Sequence, residues 1–76
     1  MNSPQARANA EALRIKALAL YAEARSLRDG PRFGDAVHRE LIAKLDEALV
    51  ADNAFNDADV IAMRLEAEER RRGRAA

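Results

Sequence analysis

Apolar side chains recur along the first third of the chain at helical spacing. Ala6, Ala10, Leu13, Ala17, Leu20, Ala24 and Leu27 fall on one side of a helical wheel, with the leucines seven residues apart. Tyr21 flanks that stripe. Ile15, Ala19 and Ala22 lie on the other side, with Leu18 between them. The ends are marked as clearly as the face. Ser3 suits an N-cap, Pro4 suits the first helical position, and Gly30-Pro31 stops the helix, with Gly30 in the role of a left-handed C-terminal cap. The pattern predicts a helix over residues 4–29.

A second stripe follows. Val37, Leu41, Ile42, Leu45, Ala48 and Leu49 predict a helix from an Asp35 N-cap to Ala51, with Phe33 folded back onto its first turn as a hydrophobic staple. Asp52-Asn53-Ala54-Phe55 reads as a connection, since Asn and Asp favour turns and caps. Asn56 then caps a third helix, with Asp57 and Asp59 in its first turn where negative charge suits the macrodipole. Its apolar set, Val60, Ile61, Met63 and Leu65, is thin. Beyond it Glu66→Arg70 and Glu68→Arg72 are spaced as i,i+4 ion pairs on a solvated stem.

The expected fold is all-α: one small domain over residues 1–76, a long helical hairpin plus a third helix, with residues 70–76 a basic, frayed tail. A 26-residue helix is ~39 Å long and one of 16–17 residues ~25 Å, so about two turns of the first helix would lack an intrachain neighbour. That mismatch predicts completion by a homodimer, with Ile15, Leu18, Ala19 and Ala22 as the self-association face.

Composition sharpens this. A 76-residue chain buries only ~60–65% of the surface its unfolded form exposes, so its core needs support. Eighteen of the thirty-seven apolar residues are Ala, an excellent helix former and a poor core filler. There is no Cys, which removes disulfides and Cys-based zinc sites, and a single His, which removes a His-rich metal site. The absence of Cys fits a reducing cytoplasm. Residues 1–5 have no apolar run of the kind a signal peptide needs, and no stretch approaches a membrane span.

The formal net charge is zero, yet the charges lie in blocks. Residues 1–44 carry eight bases and five acids. Residues 45–69 carry eight acids against Arg64 alone, and residues 70–76 add four arginines. Such segregation makes separate patches of potential that can select a partner.

Catalytic and metal signatures are missing. His38 has no nucleophile beside it in the pattern and reads as a structural residue near a helix start. The acidic run from Asp52 fails as a calcium loop: its third position is Ala54, its sixth Asp57 instead of Gly, its twelfth Met63 instead of Glu. No cofactor, metal or enzymatic role is expected. The function the pattern favours is a non-enzymatic helical interaction module, a regulator, adaptor or inhibitor of a larger protein. One form of it is a phage- or mobile-element-type inhibitor occupying the nucleic-acid groove of a host machine. Asp46, Glu47, Asp52, Asp57 and Asp59 are the candidate partner-binding residues. The alternative is a small nucleic-acid-binding regulator that uses Arg70, Arg71, Arg72 and Arg74, although Glu66, Glu68 and Glu69 directly precede them.

Overall fold

The computed structural model describes residues 1–75, with side chains described through Gly73. Helix α1 spans Ser3–Asp29 and helix α2 spans Asp35–Ala75. Residues 30–34 reverse the chain, and the two helices run antiparallel along a rod of 63 × 15 × 14 Å. The all-α hairpin expected from the sequence is present; the third helix is not. Asp52 to Asn56, expected as a connection and a cap, are continuous helix inside α2.

The reason lies in the phase of the apolar positions. Val37, Leu41, Lys44, Ala48, Ala51, Phe55, Ala58, Ala62 and Leu65 advance in alternating steps of four and three, and every one is buried or half-buried. No Gly or Pro interrupts them. Asp and Asn disfavour a helix interior by only ~0.7 kcal/mol each relative to Ala. A break at Asp52 would lift Phe55, Ala58 and Ala62 off α1. The matching stripe on α1 is Ser3, Ala6, Ala10, Leu13, Ala17, Leu20, Ala24 and Leu27, again buried or half-buried. Two such stripes facing each other make the seam of an antiparallel coiled coil.

The fully buried positions of the seam are almost all alanine. Ala6, Ala10, Ala17, Ala24, Ala48, Ala51, Ala58 and Ala62 are buried, and Val37 is the one larger buried apolar residue among those described. Of the face expected on the second helix, Val37, Leu41 and Ala48 turn toward α1. Ile42, Leu45 and Leu49 do not, and remain 46%, 38% and 52% exposed.

Continuity of α2 also changes the length argument. Glu69, far along α2, bonds Ser3 at the start of α1, so no stretch of α1 lacks an intrachain neighbour. The mismatch that motivated a dimer is therefore absent. It is replaced by an overhang in which α2 continues from Arg70 to Ala75 beyond the start of α1.

The ends differ from expectation in detail. Asn2, not Ser3, caps α1: its Oδ1 accepts the Gln5 N–H at 2.9 Å, and the Asn2 N–H donates to Gln5 Oε1 at 3.0 Å, a reciprocal capping box. Gly30 is extended, with φ −75°, and not left-handed. Glycine is needed there because a Cβ would stand 2.8 Å from the Ser26 carbonyl oxygen. The positive φ falls at Gly34, at 112°, and the Gly34 carbonyl accepts the His38 N–H at 3.0 Å. That bond starts α2 one residue before the expected Asp35 cap and leaves Asp35 in the first turn. Phe33 is 89% exposed at the turn, so the expected staple does not form.

Candidate functional site

At the open end of the hairpin, away from the turn, charged side chains tie the helices together. Arg7 Nη1 donates to Asp59 Oδ1 at 2.6 Å, and Arg7 Nη2 donates to Glu66 Oε1 at 2.6 Å. Hydrogen bonds to Glu66 and Asp59 raise the guanidinium pKa, and the hydrogen bond from Arg7 holds the Glu66 carboxyl below its ordinary range. One turn further along, the Ser3 Oγ donates to Glu69 Oε2 at 2.6 Å and the Ser3 N–H donates to Glu69 Oε1 at 3.4 Å. A carboxylate thus sits at the N-terminus of α1, where the helix dipole favours it.

The two long edges of the hairpin differ. On one edge Tyr21, Ala24, Arg25, Arg28, Leu41 and Leu45 line a groove of about 240 Å³. Arg7, Asp59 and Glu66 continue this edge toward the open end, since α1 residues 7, 14, 21 and 28 share one register position. On the other edge Lys44 lies at a seam position with its Nζ 3.1 Å from Glu23 Oε2 and 4.0 Å from Glu47 Oε2. The bond to Glu23 raises the Lys44 pKa. Lys16, Glu47, Val50 and Ala54 line this second edge further along.

The acidic residues singled out in the sequence do not form one surface. Asp46, Glu47 and Asp57 are exposed, with Val50 at 70% exposure between them and Val60 at 45% just beyond on the outward side of α2. Asp52 and Asp59 are half-buried toward α1, and Asp59 is taken up by Arg7. Part of the acidic block therefore answers the bases of α1 within the chain. Ile15, Leu18, Ala19 and Ala22 are all exposed on the outer side of α1, with Ile15 at 56% and Leu18 at 54%. His38 is exposed. Arg70, Arg71 and Arg72 are exposed on the overhang, while the side chain of Arg74 lies outside the described residues. Of the two stem pairs expected, Glu68 and Arg72 approach to 3.7 Å, whereas Glu66 turns to Arg7.

Sequence reasoning did not single out Ser3 with Glu69, Arg7 with Glu66, or Glu23 with Lys44. These are cross-helix pairs, and they emerge only when α2 is read as unbroken and folded back from the turn. The register signal was present in the alternating three- and four-residue steps of both stripes. Comparisons with protein-family models, curated proteins and solved structures give no match. No helix among the described residues is long and apolar enough to cross a membrane.

Proposed function

We propose that this chain is a non-enzymatic helical interaction module that binds a larger protein, as a regulator, adaptor or inhibitor, through the outward side of α2. The observation that carries the reading is the arrangement of Asp46, Glu47 and Asp57 around exposed Val50, with Val60 beyond, a mixed acidic and apolar strip that stays exposed although Asp46, Glu47 and Val50 border the groove beside Lys16. Exposed apolar residues rimmed by charge supply contact area and orientation to a partner with a basic, partly apolar groove. An inhibitor of a nucleic-acid-binding machine is one member of this class.

Tagged wild-type chain is purified from cells of the source at low and high salt, and the co-eluting protein is then titrated against variants. Reversal of Asp46, Glu47 and Asp57 to Lys should abolish binding while the helical signal stays. Replacing Arg70, Arg71, Arg72 and Arg74 with Gln should leave binding in place. Asp59 is omitted because its loss would disturb the Arg7 contact.

One observation favours the nucleic-acid alternative. The acids next to the arginine tail are engaged, Glu66 by Arg7, Glu69 by Ser3 and Glu68 by Arg72, which reduces their repulsion of a phosphate. That reading reverses the order of the variants: duplex DNA binding falls with salt, disappears with the tail variant and survives the acid reversals.

A further inference from the structure

We propose that the edge of the hairpin carrying Leu18, Tyr21, Ile42, Leu45 and Leu49 binds a second copy of this chain, antiparallel, to complete a four-helix bundle. The face differs from the outward strip of α2 and does not depend on it.

Three observations converge on this face. The fully buried positions of the seam are mostly alanine, its five leucines are only half-buried, and Leu18, Ile42, Leu45 and Leu49 stand outside it, 54%, 46%, 38% and 52% exposed. A chain this small, with Val37 its one buried apolar side chain larger than Ala among those described, is short of buried apolar area. These residues also share a side. Tyr21 and Leu45 line the same groove, Ile42 and Leu49 stand three residues before and four after Leu45, and Leu18 stands three before Tyr21. The register of the hairpin, fixed by the Glu23–Lys44 contact, sets Leu18 level with Leu49 and Tyr21 level with Leu45. The patch is therefore continuous across both helices.

Charge selects the occupant and its direction. On this face the half nearer the turn carries Arg25 and Arg28, the latter bonded to Asp29, against Asp35, which shares the register of Ile42 and Leu49. The half nearer the open end carries Glu11, Asp52, Asp59 and Glu66 against Arg7 and Arg14. A two-fold axis crossing the face at the level of Leu18 and Leu49 lays the basic half of one copy on the acidic half of the other. It also brings Glu11 opposite Arg25 of the second copy. An isologous contact of this kind closes as a dimer.

The test combines mass and cross-linking. Light scattering across a concentration series should give twice the 8.4 kDa of one chain, and a constant 8.4 kDa at every soluble concentration would overturn the proposal. Leu45→Glu with Leu49→Glu should return the mass to one chain with helicity retained, and a dimer that survives both changes would refute this face. Because the chain has no cysteine of its own, Leu18→Cys provides a second readout that does not depend on how well the glutamate variant folds. In the antiparallel pair, Leu18→Cys alone should oxidise rapidly to a covalent dimer. Cross-linking that occurs only when Leu18→Cys is mixed with Leu49→Cys would overturn the antiparallel arrangement.

Discussion

Arg7 is the side chain on which the open end of the hairpin turns. It reaches Asp59 and Glu66 on α2 while remaining 41% exposed, so solvent and salt screen the pairs. The sign of its effect with pH is fixed nonetheless. Glu66 has a depressed pKa in the folded chain, which means the pair contributes stability above the ordinary carboxylate value of 4.5 and loses it as pH falls below that value. Arg7→Gln should therefore melt lower than wild type at neutral pH and low salt, with the gap narrowing as salt is added. As pH falls through the depressed pKa of Glu66 the gap between the two melting curves should narrow, because protonated Glu66 no longer favours an arginine. Glu11 and Asp29 also have lowered pKa values, chiefly from Arg14 and Arg28 on the same helix; Asp29 does not feel Arg7, whereas Glu11 is lowered slightly by it as well. The difference between wild type and variant, followed by circular dichroism, reports the Arg7 contacts to Glu66 and Asp59 together with its smaller field at Glu11. A gap that is unchanged from neutral to acid pH would show that Arg7 acts through packing alone.

At the scale of the helices, α2 tests what a run of Asp and Asn can do. Those residues weaken a helix slightly, and here the burial of Phe55, Ala58 and Ala62 against α1 outweighs them. Asn53→Pro decides between a connection and a helix interior. In a connection it would be tolerated. In the middle of α2 it removes a backbone hydrogen bond and crowds the preceding turn, so it should cost roughly 3 kcal/mol in denaturant titration, while Asn53→Ala should be neutral or slightly stabilising. The limits of α1 were legible because Pro4 and Gly30-Pro31 act locally and strongly. The seam of α1 was legible from its leucine spacing. The seam of α2 was legible only up to Ala48, since grouping Ile42, Leu45 and Leu49 with Val37 rotated the face away from Lys44 and Ala51. A lysine in a seam is a poor hydrophobic signal, yet Glu23 makes the position workable. The exposed set Ile15, Leu18, Ala19 and Ala22 was readable as a second side of α1. The cross-helix partners Ser3–Glu69 and Arg7–Glu66 were not readable, because they depend on a fold-back register that the expected break at Asp52 had erased.

The whole molecule is a thin rod, and its two apolar surfaces point in different directions. The outward strip of α2 and the face around Leu18 and Leu49 lie on separate sides, so a dimer built on the second leaves the first open to a partner. Such a bundle would present two copies of the acidic strip and two arginine overhangs, one at each end. This geometry has a length. From Leu49 to Ala75 there are twenty-six residues of unbroken helix, ~39 Å at 1.5 Å per residue. A two-fold at the level of Leu49 doubles that distance, so the antiparallel bundle should show a maximum dimension of about 80 Å in small-angle scattering. Stacking the same faces in parallel would keep the 63 Å length of one rod and only thicken it. End-to-end association would roughly double the 63 Å instead. The three arrangements separate in a single scattering profile taken where light scattering gives the mass of a dimer. Leu45→Glu with Leu49→Glu, measured alongside, should return the profile to the single rod, with a Cα radius of gyration of 17.7 Å as its reference.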